Sequence, residues 1–200
     1  MIEKELIRVG DFTEKLVGLL GEKQFETKTD RDGLCLLHWA LIVEHQRGII
    51  LLLHHGICAP AFALIRPITE AFLRLNIVML GTDKEVESIR KGTYRTEFKT
   101  VGEMVDKSIG LSRLFGPLMQ KITSGLHGFT HGGVEQLMRL KAGNNITRNY
   151  SDIDARECLQ LTTLFPFFAT MAVSDFLSRK SEFEAAQALL DEYLHTNLSS

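Results

Sequence analysis

The sequence predicts an all-α protein, a single bundle of about six or seven helices that occupies residues 1–200. Three observations predict this fold class. Apolar residues recur three to four positions apart along most of the chain, which is the spacing of a buried helix face. Hydroxyl residues followed three positions later by an acidic residue, a helix-capping pattern, open several of these stretches. Nowhere do β-branched and aromatic residues alternate with polar residues for long enough to indicate a strand.

The composition is that of an ordinary globular domain. Hydrophobic residues make up 44% of the chain and charged residues 24%, values that exclude a disordered class of protein. The formal net charge of −2 provides no overall basic field for a nucleic acid. The three cysteines form no CxxC motif, so we expect reduced thiols in a cytoplasmic protein.

Neither a secretion signal nor a membrane span is expected. The first residues contain no apolar stretch followed by a small-residue cleavage site. The most apolar region, residues 49–80, is interrupted by charged residues and prolines. No uncharged window in it reaches the ~18 residues that a spanning helix needs.

Two helices are predicted in the first quarter of the chain. Apolar residues recur with the helical period over about Glu3–Leu20, and Gly21 ends that pattern. Thr29 or Asp30 caps the second helix, which continues to about His55.

A third helix is predicted from about Pro60 to Leu80. Proline is tolerated in the first turn of a helix, so Pro60 can open it. The other residues of this predicted helix are apolar around most of its circumference. Such a helix belongs in the middle of a bundle. Pro67 removes one backbone donor inside it, so we expect a kink near the preceding turn.

Four further helices complete the predicted bundle. The clearest loop, Ala142–Tyr150, separates two of them and is rich in glycine and asparagine. The predicted spans are about Asp83–Lys107 after the capping pair Thr82 and Glu85, about Leu111–Leu140, a sixth helix after Ser151 with Asp154, and a seventh after Ser181 with Glu184.

A polar stripe crosses the otherwise apolar third helix. Arg66, Glu70 and Arg74 are four positions apart, so they share one narrow helix face. Buried charges are costly unless they are paired, so the stripe must meet partners or line a wet cleft. Three interpretations remain open: a structural polar network, a catalytic cleft, and ordinary exposure to solvent.

The segment around residues 124–133 is rich in histidine and glycine. If it is helical, His127, His131 and Glu135 share one face, and three glycines form a second face that lets another helix approach closely. The interpretations are histidines satisfied at a tight helix crossing, a catalytic or ligand-binding site, and a metal site, for which the signal is weak. The glycines are at positions 125, 128 and 132.

We expect these two features to meet. Arg66 and Glu70 need polar partners, and the best candidates are His127 or His131 across a helix crossing. Glu70 would then hold one imidazole tautomer, and Arg66 would bind an anion or a phosphate.

A second arginine–histidine pair has the spacing for phosphodiester cleavage. Arg47 and His54 are seven positions apart, almost two helical turns, so both side chains point the same way. The imidazole would take a proton from a ribose 2′-OH, and the guanidinium would stabilise the developing charge. The alternative is a solvated helix edge.

Basic residues beside aromatic ones suggest a contact with single-stranded RNA. Lys91, Arg95 and Lys99 are four positions apart in the predicted fourth helix, and Tyr94 and Phe98 lie on an adjoining face. Such side chains bind phosphates and stack on bases. The alternative is an amphipathic helix whose aromatic residues belong to the core.

Two segments resemble a group of uncharacterised bacterial all-helical proteins that is distantly similar to HEPN domains. The first runs from Ala63-Leu64-Ile65-Arg66-Pro67 through Glu70-Ala71-Phe72 to Arg74, and the second is Thr130-His131-Gly132-Gly133. The resemblance covers about the middle half of the chain. HEPN ribonucleases carry an arginine, four to six residues and a histidine, as Arg47 and His54 do. The resemblance implies a dimer with a composite, metal-independent site in a toxin–antitoxin or phage-defence system.

The sequence therefore supports two main hypotheses. The first is a HEPN-like RNA-cleaving or RNA-binding effector, a homodimeric, metal-independent endoribonuclease of the cytoplasm that needs no cofactor and has a cognate protein partner. The second is a non-catalytic helical interaction module, antitoxin-like or a sensor subunit, whose polar network is structural. A pocket for a small molecule built on the charged stripe is a third.

Overall fold

The fold was obtained as a computed structural model, which describes residues 2–21, 27–95, 97–108, 117, 119, 133, 137–142, 144–147 and 149–198. The regular secondary structure of the described residues is helical apart from one two-residue ladder, which confirms the all-α bundle. The helices whose bounds lie within the described residues are α1 Ile2–Leu20, α2 Asp30–His54, α3 Cys58–Ala63, α4 Ile65–Leu80, α5 Asp83–Arg90, α6 Phe98–Ser108, α7 Asp152–Phe176 and α8 Lys180–Leu198; the strands are β1 Lys141–Ala142 and β2 Asn145–Ile146.

Three helices begin where the capping pattern predicts. In each, the hydroxyl of the N-cap residue accepts from the backbone N–H three residues on, and the acidic side chain there accepts from the N-cap N–H. These reciprocal bonds satisfy backbone donors that have no partner within the helix. The pairs are Thr29 with Asp32 for α2, Thr82 with Glu85 for α5, and Ser151 with Asp154 for α7.

The predicted third helix is divided at Leu64 into α3 and α4. Pro67 is the third residue of α4, and its ring would collide with the carbonyl of Ala63 if the helix were continuous. The kink expected one turn before Pro67 is therefore confirmed, in the form of a break.

The predicted fourth helix, Asp83–Lys107, is wrong because α5 and α6 are separate helices. Gly92 has a φ of +69°, which glycine adopts without a steric penalty. Its N–H donates to Ile89 O, and the N–H of Thr93 donates to Ser88 O. This pair of bonds is the Schellman motif, which ends α5.

The predicted start of the last helix is also wrong. The helix α8 begins at Lys180, so Ser181 lies inside it and donates to Glu182 instead of acting as the cap. The preceding turn has Ser178 at a φ of 56°, and the N–H of Arg179 donates to Ser174 O.

The helix α2 is central and packs against α1, α3, α4 and α7. Two buried polar contacts join it to α7: Trp39 Nε1 donates to Thr170 Oγ1 at 2.9 Å, and Gln46 Nε2 to Thr163 Oγ1 at 3.4 Å. Residue numbers rise on α2 as they fall on α7, so the two helices are antiparallel. By length and composition α2 could also cross a membrane, which is weak evidence because core helices pass the same test.

Much of the predicted fifth helix, Leu111–Leu140, lies outside the described residues. The predicted loop after it contains part of a short hairpin, in which Lys141 pairs with Ile146 and Ala142 with Asn145.

Candidate functional site

The stripe on α4 is an ion-pair network. Arg66 Nε lies 3.1 Å from Glu70 Oε1, and Arg74 Nη2 lies 3.6 Å from Glu70 Oε2. The three side chains are 24%, 27% and 39% exposed, in the order Arg66, Glu70, Arg74. One carboxylate thus bridges two guanidinium groups at the edge of the core.

The neighbours of this stripe include a histidine that the sequence analysis missed. Burial lowers the pKa of His38 on α2. A hydrogen bond to Leu34 raises this pKa in part, and the nearby positive charge of Arg74 lowers it again. The ring Nδ1 lies 3.0 Å from Leu34 O, so Nδ1 carries the proton of the neutral imidazole. At the other end of the stripe, the guanidinium carbon of Arg66 lies 5.8 Å from the centroid of the Phe98 ring.

The partners predicted for Arg66 and Glu70 cannot be placed against this stripe. His127 and His131 lie outside the described residues, as do Glu135 and the glycines at 125, 128 and 132. Their contact with Glu70 stays a prediction.

Arg47 is engaged by carboxylates. Its Nε and Nη2 lie 2.7 and 2.5 Å from the two oxygens of Glu14 on α1, and its Nη1 lies 3.3 Å from Glu44. The hydrogen bond with Glu14 raises the pKa of Arg47, and the same bond lowers the pKa of Glu14. His54 is exposed at the end of α2, with its ring 5.2 Å from that of His55. The N–H groups of Arg47 that bind Glu14 are therefore directed at α1. The predicted phosphodiester cleavage would need them to bind a phosphate instead.

The predicted basic helix face does not exist as one face. Lys91 caps α5, Arg95 lies in the connection and Lys99 belongs to α6. Lys91 pairs with Glu87 at 3.1 Å, and Lys99 lies 4.0 Å from Glu103. Tyr94 is half-buried against the main core, as the alternative interpretation of its aromatic ring predicts. The role of these residues in RNA binding stays a prediction, without the helical spacing that suggested it.

The sequence analysis also missed an apolar cleft of about 520 Å³ between α4, α6, α7 and α8. Its walls are mostly aromatic, methionine and aliphatic side chains. The lining residues that the structure describes are Phe72, Asn76, Met79, Leu80, Val105, Phe168, Met171, Ala172, Asp175, Phe176 and Phe183.

Two polar side chains interrupt the apolar lining. Asn76 is only 5% exposed, and its Nδ2 donates to Phe72 O at 2.8 Å. No described residue donates to Asn76 Oδ1. Asp175, in the last turn of α7, is exposed and makes no ion pair with the described residues. Both groups offer acceptor oxygens.

The described residues contain no group of three or more histidine, cysteine or acidic side chains that could hold a metal ion.

The comparison with protein families gives one result. The profile of a family of unknown function, DUF6988, matches residues 39–196, which include most of α2 and all the described cleft-lining residues. No curated protein and no solved structure matches the chain. Because the matched region is well over half of the sequence, the chain belongs to the DUF6988 family.

Proposed function

We propose that this protein is a non-catalytic helical module, a sensor subunit that binds a small apolar molecule in the cleft between α4, α6, α7 and α8. The cleft itself supports this proposal. Its volume of about 520 Å³ falls within the ~300–1,000 Å³ of small-molecule sites. Four phenylalanines and two methionines in its lining suit an apolar ligand.

The residues that line the cleft favour ligand binding over catalysis. Asp175 is the one titratable side chain among the described lining residues, and it is exposed at the edge. A nucleophilic mechanism needs a nucleophile in contact with a base, and the described lining offers no such pair. The ligand would therefore be bound and released unchanged.

The charged groups outside the cleft also fit a structural role. Glu70 balances Arg66 and Arg74, and Glu14 with Glu44 balances Arg47. A guanidinium that already holds a bidentate carboxylate would have to exchange it for a phosphate. RNA cleavage, the toxin–antitoxin or phage-defence context, the homodimer and the cytoplasmic location stay predictions.

Binding is tested with the full-length protein and the neutral fluorescent probe N-phenyl-1-naphthylamine. We expect saturable binding that Ala172→Trp weakens at least tenfold, because the indole would occupy the cleft. Ala40→Trp, at an exposed position of α2, is the matched control and should bind as the unchanged protein does. Ala172→Leu replaces the tryptophan variant if the latter loses its cooperative melting. Probe binding that neither cleft variant alters would overturn the proposal.

The absence of catalysis is tested on a mixed RNA pool with a chelator present. We expect no cleavage by the purified protein. Chelator-resistant cleavage that disappears in His54→Ala would support the ribonuclease hypothesis and contradict a non-catalytic role.

A further inference from the structure

We infer that the cleft selects an amphipathic amine, a molecule with an apolar body and a protonated amino group. This inference rests on the proposed function and names the chemical class of its ligand. It depends on the two polar side chains of the cleft and on the absence of a cationic side chain among the described lining residues.

The polar side chains of the described lining offer more hydrogen-bond acceptors than donors. Asn76 uses one N–H on Phe72 O, which fixes the orientation of its amide and leaves Oδ1 as an acceptor and the second N–H as a donor. The residue is only 5% exposed, so a ligand that fills the cleft would cover the part of the amide that still reaches water. Buried acceptors are satisfied in almost all proteins, so a ligand that fills the cleft must supply a donor or leave a costly unpaired oxygen.

The charge of the cleft edge selects the type of donor. Asp175 is an acidic side chain with no ion pair among the described residues, and it lines the same cleft. An ammonium group carries three N–H donors and a positive charge, so it gains charge-assisted hydrogen bonds there. A carboxylate ligand of the same shape would meet like charge at Asp175.

The apolar walls favour the same class of ligand. The negative faces of phenylalanine rings attract cations, and Phe72, Phe168, Phe176 and Phe183 all line the cleft. Met79 and Met171 add flexible, polarisable surface that adapts to an irregular body. The volume accommodates a fused bicyclic ring with a short side chain.

The test compares two probes of the same shape and opposite charge. Tryptamine and indole-3-propionate share an indole ring and a two-carbon linker, so their difference reports the charged group. We expect tryptamine to bind at least tenfold more tightly by calorimetry, and to displace N-phenyl-1-naphthylamine at correspondingly lower concentration. Asp175→Asn should reduce this preference to less than threefold. The matched control Asp191→Asn removes an exposed acid of α8 that does not line the cleft, and should retain it.

The outcomes separate this inference from the proposed function. Equal binding of the two indoles, or a preference for the acid, would overturn the amine selectivity while saturable probe binding still supported a ligand cleft. A preference for tryptamine that survives in Asp175→Asn would also overturn the inference. If the unchanged protein binds neither the naphthylamine probe nor either indole, both proposals are overturned. Melting temperatures of the variants within a few degrees of the unchanged protein show that each comparison is made on folded chains.

Discussion

Burial controls the chemistry of the cysteines at the scale of single residues. Desolvation raises the pKa of Cys35 and of Cys158 to about 12, so both remain thiols at neutral pH. The thiolate is the reactive form, and both residues are also shielded from reagents. Cys58, at the start of α3, is only half-buried and lines a small cavity.

We expect iodoacetamide to label the native protein once, at Cys58. The other two cysteines should react only when a denaturant unfolds the chain. Intact mass gives the number of labels, and peptide mapping gives their positions. Labelling of Cys35 or Cys158 at the rate of Cys58 under native conditions would contradict the buried environment described for α2 and α7.

The buried polar contacts between α2 and α7 act at the scale of elements. Trp39 and Gln46 are seven residues apart, as are their partners Thr170 and Thr163. A shift of one helix along the other would bury these donors without acceptors, at a cost of about 1–3 kcal/mol each. These contacts therefore help to specify the register between the two helices.

The ion-pair network of α4 leads to a stability prediction at the same scale. We expect Glu70→Gln to lower the free energy of unfolding by about 1 kcal/mol, because the pairs with Arg66 and Arg74 are a quarter or more exposed and are weakened by solvent. Chemical denaturation gives the value. Glu184→Gln, which removes an exposed partner of Lys180, is the control and should change it by less than ~0.5 kcal/mol. A loss of 3 kcal/mol or more would instead indicate a fully desolvated network.

The stability of the whole molecule should depend on pH through two histidines of α2. Burial lowers the pKa of His38 and of His45 from the ordinary value of 6.5, so both are neutral in the folded protein at pH 7. Below about pH 6.5 the unfolded chain binds these protons more readily than the folded chain. The free energy of unfolding must therefore fall as the pH drops from 7 towards 5.

We expect the double variant His38→Gln, His45→Gln to lose at least half of this slope, measured by chemical denaturation between pH 5 and 7. His55→Gln, at an exposed position, is the control and should keep the slope. Hydrogen bonds lower the pKa of carboxylates such as Glu14 and Glu85. Their contribution to the free energy of unfolding is lost only below about pH 4.5, outside this window. An unchanged slope in the double variant would contradict the assignment of this pH dependence to His38 and His45.

Much of the helical organisation was predictable because its signals are local. A capping pair such as Ser151 and Asp154 acts within one turn, and the ring of Pro67 disrupts the turn just before it. Gly92 is also a local stop signal, but the helix predicted from the capping pair Thr82 and Glu85 continued past it to Lys107 and was therefore too long. A capping pair determines where a helix starts but not where it stops, whereas a glycine that closes a Schellman motif ends it.

The sequence by itself determined which segments are helices and where several of them start, because those features depend on neighbours within a few residues. Only the tertiary structure decided what the side chains meet. Arg47 faces Glu14, 33 positions away, and the cleft is assembled from residues between Phe72 and Phe183. A phenylalanine on a helix face has the same local spacing whether it fills the core or lines a cavity. The difference arises only when four helices pack at distances that leave a gap between them.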